Sequence, residues 1–388
     1  MMKCVRFPMV DSGTALPPIV VKVGTSILRG DARRGTETVI AELARVLSCC
    51  CQQGRSVVLV SSGAVGLGSR RLGDARRPQE LLQQQVAAAV GQGLLMASYD
   101  KAFGVHGQLV AQVLLTRGDF VSRRRYRNAT ATLRGLLARR VLPIVNENDA
   151  LATDELRFGD NDTLAARVAV AVAAERLILL TDVDRLYSAD PRRDLQASPI
   201  HEVRNRAELL SLSQAAEPGG QWGTGGMTTK LAAARIATAG GITVDLADGR
   251  TISVLEGLLQ GGNGGTRFQA DALPIPIRKR WLAHGVLPQG RLHLDQGAVK
   301  AIERQGASLL SAGITAVEGC FSSHEAVCLC GPDGEEIARG ISRHGSDVVN
   351  RIRGLSRDQV APLLGQPNAA CVVHRDSLVL TRSPDANS

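Results

Sequence analysis

The chain carries Gly159-Asp160-Asn161-Asp162-Thr163-Leu164, and the rest of the sequence is organised around this stretch. The glycine interrupts the backbone, three acidic or amide residues follow, and an alanine-rich helix is predicted to begin at once. Asp160 or Asn161 can cap that helix by accepting from the free backbone amides of its first turn, which stabilises a helix by ~1 kcal/mol. A cap needs only one such residue. The three together therefore indicate a polar cluster with a further role, and a solvated turn is the alternative.

Other predicted strands also end in polar residues. The strand 141–145 runs directly into Asn146-Glu147-Asn148-Asp149, and three more strands have polar or glycine-rich ends, near Lys22, Ser62 and Asp182. Strands alternate with helices from residue 19 to residue 248, which predicts a mostly parallel sheet with helices on both faces. Open α/β sheets bind ligands at the carboxyl ends of their strands. The predicted fold class is an open αβα sandwich whose polar strand ends share one edge.

Lysines stand beside glycine-rich turns at two places. Lys22 lies in the β-branched run Ile19–Val23, before Gly24-Thr25-Ser26. A lysine in a buried strand is costly unless it meets an anion, and the alternative is a side chain that reaches the surface. Lys230 closes the run 219–230, which leads into a helix at residue 231. Backbone amides and the helix dipole favour phosphate at such a position, and a glycine-rich linker is the alternative.

The turn Ser61-Ser62-Gly63-Ala64 follows another predicted strand. Its small residues let backbone amides approach a ligand closely. The turn matches neither the dinucleotide fingerprint nor the P-loop pattern, and a plain connection between strand and helix is the alternative.

Composition limits the class of protein. A chain of 388 residues favours two domains. The 3% aromatic content predicts a core of Ala, Val, Leu and Ile. Three of the eight cysteines are adjacent, which favours free thiols in a reducing compartment over disulfides. The first 18 residues lack the apolar segment of a signal peptide, and the apolar run 168–180 is interrupted by Glu175-Arg176. We therefore expect a cytoplasmic protein without a membrane span.

The sequence changes character near its glycine-rich and proline-rich segment 257–276. Beyond it, short predicted strands at 291–294, 314–317, 326–329 and 371–374 indicate a small β-barrel-like domain with one helix at 297–305. From residue 275 the chain has 13 Lys+Arg against 11 Asp+Glu, a net charge of +2 out of the total of +9. A domain that relies on phosphate contacts to RNA would be more basic, so RNA binding is a weaker alternative function.

Two lysines, two glycine-rich turns and a carboxylate cluster at one sheet edge suit phosphoryl transfer, which needs positioning and charge stabilisation. These motifs resemble the amino acid kinase family. The resemblance rests on Val20–Ser26, Ser61–Ala64, Val145–Ala150, Phe158–Asp162, Leu180–Asp182, Tyr187–Pro191 and Gly223–Lys230, in this order and spacing. The C-terminal part resembles a PUA domain, including Gly340–Arg343 and Val373–Asp376.

The resemblance implies ATP-dependent, Mg²⁺-requiring phosphorylation of the γ-carboxylate of L-glutamate, with inhibition by proline. Catalytic roles would fall to Lys22, Lys230 and Asp162, and glutamate would bind Ser62, Gly63, Asp149 and Asn161. ATP would bind Lys22, Gly24, Thr181, Asp182, Thr224, Gly225, Gly226, Met227, Thr228, Thr229 and Lys230. The Mg²⁺ ion would be carried mainly by the phosphates. Arg157 stands where relatives commonly have lysine. Acetylglutamate, aspartate, carbamate or a nucleoside monophosphate are the alternative acceptors within the family.

The resemblance also implies the domain organisation. An N-terminal extension would cover residues 1–17, the kinase domain 18–272, a linker 273–287, the PUA domain 288–376 and a tail 377–388. We expect a homo-oligomer, either a dimer or a tetramer, because relatives associate through the kinase domain.

Overall fold

The computed structural model describes residues 16–30, 34–74, 76, 78–151, 161–189, 191, 194, 196–215, 225–271, 282, 286–365 and 369–381. The chain divides into two compact units. The first comprises Met1–Arg117 and Ala129–Pro274, and the second comprises Gly118–Asn128 and Ile275–Ser388.

The first unit is built on an eight-stranded sheet of order β3-β4-β2-β1-β5-β9-β10-β8. All neighbours pair in parallel except β9 and β10. The strands are β1 Ile19–Val23, β2 Val57–Ser61, β3 Val110–Leu115, β4 Leu142–Glu147, β5 Arg176–Thr181, β8 Glu202–Val203, β9 Thr243–Asp248 and β10 Thr266–Phe268. A separate two-stranded sheet pairs β6 Leu186–Tyr187 with β7 Pro199–Ile200.

Helices connect these strands and cover the sheet. They are α1 Thr25–Arg29, α2 Thr36–Gln52, α3 Ala64–Leu72, α4 Leu81–Gly104, α5 Arg123–Ala138, α6 Asn161–Val172, α7 Arg206–Ala215, α8 Gly225–Ala239 and α9 Ile252–Leu259, with a 3-10 turn at Arg117–Phe120. The mostly parallel sheet with its connecting helices confirms the predicted αβα fold class.

Strand β1 shows how the two faces of the sheet differ. All five of its residues are buried, as expected when helices cover both faces. Successive side chains of a strand point to opposite faces. Ile19, Val21 and Val23 join the apolar core formed with α2, α4 and α9. Lys22 therefore lies on the opposite face, where it reaches a carboxylate of α6.

Two helices begin earlier than the sequence indicates. We predicted a glycine-rich loop through Lys230, but α8 already begins at Gly225, so Gly226 to Lys230 form its first turns. The prediction was wrong because glycine is a poor helix former, and successive glycines conceal a helix start that tertiary packing stabilises. Likewise, α3 begins at Ala64, which leaves Ser62 and Gly63 alone between β2 and the helix. The proposed cap Asp160 lies outside the described residues, and Asn161 is the first residue of α6.

Helices α3 and α4 approach each other so closely that two glycines are required. A Cβ atom added at Gly91 would lie 1.8 Å from the backbone oxygen of Ala64, and one at Gly68 would lie 1.8 Å from that of Ala87. No side chain fits at such distances. The backbones are therefore in direct contact, which places α4 against the turn that precedes α3.

Replacing Gly91 with alanine is expected to lower the free energy of unfolding by about 3 kcal/mol, because the added methyl group forces the two helices apart. Gly93→Ala on the same helix is the matched control. The space around the Gly93 position is open, so that change is expected to stabilise the protein by about 1 kcal/mol through helix propensity. Urea titration followed by circular dichroism measures both. Equal stability of the two variants would contradict the close approach.

The second unit contains a curled six-stranded sheet of order β12-β16-β15-β14-β11-β13. Its strands are β11 Gly290–Leu294, β12 Leu309–Leu310, β13 Ile314–Gly319, β14 Ala326–Cys330, β15 Glu336–Ser342 and β16 Cys371–Leu380, and its helices are α10 Gln296–Gln305, α11 Ser346–Ile352 and α12 Arg357–Leu364, with a 3-10 turn at Ser311–Gly313. This unit has its own apolar core, in agreement with the predicted barrel-like domain. Strand β16 pairs with β15 as far as Leu380, so the sheet continues past residue 376.

Candidate active site

The parallel strands of the first unit end at one edge of the sheet. In the registers of β1, Val23 lies opposite both Ser61 of β2 and Leu180 of β5. Strand β4 continues the row on the other side of β2, where Val145 lies opposite Val60. Polar residues at these strand ends are therefore neighbours in space, as open α/β sheets arrange their ligand-binding groups.

A buried aspartate joins two lysines at this edge. Asp162, in the first turn of α6, is 1% exposed. One of its carboxylate oxygens contacts the Lys22 ammonium group of β1. The other lies 3.2 Å from the Lys230 Nζ atom of α8 and 3.3 Å from the Thr229 hydroxyl. The carboxylate thus holds two ammonium groups from different elements side by side.

The charge state of Asp162 follows from these partners. Burial by itself raises the pKa of a carboxyl group, but the ammonium groups of Lys22 and Lys230 lower the pKa of Asp162 below its ordinary value. The group is therefore a carboxylate at neutral pH. Two positive charges and one negative charge leave the cluster with a net charge of +1, which suits an anionic ligand.

Next to this cluster, Asn161 forms a network of amides and hydroxyls. Three acceptors surround its Nδ2 atom, the Ser61 backbone oxygen at 2.9 Å, the Ser62 hydroxyl at 2.8 Å and Asn146 Oδ1 at 2.9 Å, and they share its two N–H donors. Its own Oδ1 atom is buried and has no hydrogen-bond partner among the described residues. A buried acceptor without a donor is costly, so this atom is suited to receive a donor from a ligand.

The turn after β2 is held in a fixed shape. Gly63 has φ of 103°, in the left-handed region that glycine adopts without a penalty. The fully buried Tyr99 of α4 places its hydroxyl 2.8 Å from the Ser61 hydroxyl. Burial raises the pKa of Tyr99, so the phenol stays protonated. Helix α4 therefore contacts the turn through Tyr99 at Ser61, whose backbone oxygen accepts a hydrogen bond from Asn161.

These groups line a pocket of about 580 Å³. Most of the site residues predicted from the sequence lie around it: Lys22, Gly24, Ser62, Gly63, Asp149, Asn161, Asp162, Thr181, Asp182, Gly226, Thr229 and Lys230. Three others, Gly225, Met227 and Thr228, belong to the same first turns of α8 without lining the pocket. Thr224 and Arg157 lie outside the described residues.

The pocket also contains residues that were not predicted. Three arginines reach it, Arg29 from the end of α1, Arg70 from the end of α3, and Arg76 from the segment that follows. Consecutive arginines such as Arg70-Arg71 are typical of a solvated helix face, and nothing in the sequence marks Arg70 and not Arg71 as a pocket residue. The arginines add positive charge on the side of the pocket formed by α1 and α3.

Taken together, an αβα sheet, two lysines bridged by a buried carboxylate and a helix N-terminus in one cavity define an enzyme of the phosphotransferase class. The cationic groups and the amides of α8 suit a chain of phosphates. The amide acceptor of Asn161 suits the donor of a second substrate in the same cavity.

Comparison with known proteins agrees with this class. The family model described as Amino acid kinase family matches residues 17–248, and the model described as PUA domain matches residues 290–363. A protein named Glutamate 5-kinase from Synechococcus sp. (strain CC9605) is 55% identical over 93% of this chain and 98% of its own length. Proteins of the same name are 54% identical in Prochlorococcus marinus (strain MIT 9313), over 93% of this chain and 98% of theirs, and 51% identical in Thermosynechococcus vestitus, over 94% and 99%.

The chain belongs to the amino acid kinase family, and its C-terminal part is a PUA domain. It is therefore a kinase, and the resemblance seen in its motifs is confirmed. No helix in the described part of the chain has the length and hydropathy to cross a membrane.

Proposed function

We propose that the protein transfers the γ-phosphoryl group of ATP to the γ-carboxylate of L-glutamate, the first step of proline biosynthesis. The observation that carries the proposal is the pocket, in which the Lys22–Asp162–Lys230 cluster and the amide network of Asn161 meet. The name shared by the relatives at 51% to 55% identity supports glutamate as the acceptor.

The amide network suits the amino acid. Asn161 has one acceptor left over, and the ammonium group of an amino acid offers three donors. Asp149 and Ser62 line the same pocket. We propose that these three side chains, with the backbone at Gly63, orient glutamate so that its γ-carboxylate extends towards Lys22.

The cationic cluster suits ATP. Lys22 and Lys230 would flank the γ-phosphoryl group, with Gly24 of the turn after β1 and the first turns of α8 around the phosphates. Thr181 and Asp182, which follow from β5, would hold the remainder of the nucleotide. The pocket also offers the carboxylate oxygens of Asp182, so its donor set fits a Mg²⁺ ion. This ion would be bound mainly by phosphates and would neutralise part of their charge.

The chemistry requires no general base. A glutamate γ-carboxyl group has a pKa of about 4.3 and is already ionised at neutral pH. One carboxylate oxygen forms a bond to the γ-phosphorus while the bond from that phosphorus to the bridging oxygen breaks, and ADP leaves. Lys22 and Lys230 offset the repulsion between the two anionic substrates. Asp162 keeps both ammonium groups in position throughout.

We further propose a kinase domain at 18–272 and a PUA domain that begins at 288 and extends beyond the predicted boundary at 376 to the end of β16 at Leu380. We also propose a homo-oligomer in the cytoplasm, with proline as an inhibitor that competes at the glutamate site. The second candidate function is RNA binding by the PUA domain as a side activity, which a filter-binding titration against salt concentration tests.

Trapping the product with hydroxylamine tests the proposed reaction. With ATP, Mg²⁺ and L-glutamate, we expect the purified protein to form a hydroxamate from the acyl phosphate, at a rate that falls when L-proline is added. N-acetylglutamate, aspartate and bicarbonate with ammonia are the comparison acceptors. ATP binding without hydroxamate from glutamate would overturn the acceptor, and an undiminished rate in excess proline would overturn the inhibition.

A further inference from the structure

A chain of side-chain amides leads from Asn161 and Asn146, which both line the pocket, to Gln92 of α4. Asn146, at the end of β4, is 2% exposed, and its Oδ1 atom accepts from Asn161 Nδ2 at 2.9 Å. Its Nδ2 atom donates to Gln92 Oε1 of α4, also at 2.9 Å. The three amides therefore connect α6, β4 and α4. Gln92 lies at the end of this chain and does not line the pocket.

Two backbone groups set the direction of the chain. The backbone N–H of Glu147 donates to Asn146 Oδ1 at 2.9 Å, and the Ser61 backbone oxygen accepts from Asn161 Nδ2. A backbone donor and acceptor cannot exchange roles, so neither asparagine amide can be turned over. Asn146 must therefore present its NH₂ group to Gln92, and Gln92 must present an oxygen.

The role of Gln92 is thus that of an acceptor. Its Nε2 atom is buried and has no hydrogen-bond partner among the described residues, whereas its Oε1 atom satisfies the buried Asn146 amide. Without that oxygen, the Asn146 NH₂ group would be buried and unsatisfied, which drives a side chain to move. Because Asn146 also holds Asn161, a shift there displaces the acceptor atom of Asn161 in the pocket.

We infer that Gln92 is a positioning residue for the amino acid substrate, acting through Asn146 on Asn161. This inference rests on the proposed function, because it takes the ammonium group of L-glutamate as the donor to Asn161 Oδ1. Helix α4 also supplies Tyr99, seven residues further on, to the turn that carries Ser62. One helix face therefore supports both sides of the substrate pocket, and its close contact with α3 at Gly91 keeps that face in place.

The test compares two variants of similar length, Gln92→Met and Gln92→Glu. Methionine is a good helix former of similar shape without a comparable acceptor, whereas glutamate at this position retains an accepting oxygen in either protonation state. Gln92→Met is expected to raise KM for L-glutamate about tenfold, with kcat and KM for ATP changed less than about threefold. Gln92→Glu is expected to keep KM within about threefold of the wild type. The exposed Gln83→Met on the same helix is the control and is expected to change neither.

A substrate analogue separates positioning from general damage. Glutarate lacks the ammonium group, so its inhibition constant against L-glutamate is expected to change less than about twofold in Gln92→Met. The inference would be overturned if Gln92→Met left KM for L-glutamate unchanged, or if it raised the inhibition constant of glutarate by the same factor as that KM. A Gln92→Glu variant as impaired as Gln92→Met would also overturn it. If the wild type makes no hydroxamate from glutamate, the proposed function fails. If the wild type makes hydroxamate from glutamate but the Gln92 variants do not show the expected KM values, only the inference about Gln92 fails.

Discussion

Replacing Lys230 with methionine is expected to lower kcat by about 10³-fold while KM for L-glutamate changes less than about threefold. The Lys230 ammonium group is bound to Asp162 at 3.2 Å beside the N-terminal turns of α8. In our proposal it meets the negative charge that develops on the transferring phosphoryl group. A donor that acts mainly in the transition state affects kcat more than substrate binding. Steady-state kinetics with the hydroxamate assay measures both constants.

Two further variants complete that experiment. Lys22→Met is also expected to lower kcat, because Lys22 contacts the other oxygen of the Asp162 carboxylate. Lys101→Met removes an exposed lysine near the end of α4 that does not line the pocket, and it is expected to retain wild-type kinetics. A Lys230→Met enzyme that keeps more than a tenth of the wild-type kcat would show that the ammonium group has no such role.

Replacing Asp162 with asparagine is expected to reduce kcat by about 10²-fold or more and the free energy of unfolding by about 3 kcal/mol at pH 7. The carboxylate is buried between two ammonium groups, and its removal leaves both without their shared counter-charge. The kinetic loss arises because Lys22 and Lys230 are no longer held side by side. Asp100→Asn, which removes an exposed carboxylate from α4, is the stability control.

The stability difference between the wild type and Asp162→Asn should depend on pH. The pKa of Asp162 is lowered in the folded protein, whereas in the unfolded chain it is about 3.9. The stabilising contribution is therefore complete well above pH 4 and is lost as the pH falls through the folded value. Urea titrations between about pH 3 and pH 8 measure the free energy of unfolding of both proteins. The difference between the wild type and Asp162→Asn is expected to stay constant down to about pH 4 and to become smaller below it. A difference that grows on acidification would contradict the pairing of the Asp162 carboxylate with the two lysines.

Much of the site could be predicted because it lies at strand ends. The carboxyl ends of neighbouring parallel strands lie at one edge of a sheet, and Lys22 near the end of β1, Ser62 after β2 and Asp182 after β5 follow this rule. The start of α8 could not be predicted, because Gly225 and Gly226 have low helix propensity and the helix there is stabilised by packing and not by local sequence.

Gln92 and Tyr99 illustrate a different limit. They lie in a helix rich in alanine and glutamine, where nothing local distinguishes one glutamine from its neighbours. Gln92 meets Asn146 across 54 residues of sequence, and Tyr99 meets Ser61 across 38. Such contacts depend on the close approach of α3 and α4, which itself depends on two glycines whose role is visible only in the packed structure.

The most direct test of the account follows an oxygen atom from the acceptor. L-glutamate labelled with oxygen-18 in its γ-carboxylate is incubated with the protein, ATP and Mg²⁺, and the acyl phosphate is then cleaved at its carbonyl carbon by hydroxylamine. If the carboxylate attacks phosphorus beside Lys22 and Lys230, each phosphate released from the product carries one oxygen-18 atom, which mass spectrometry detects. Phosphate without the label would mean that water and not glutamate had accepted the phosphoryl group, and it would contradict the central claim.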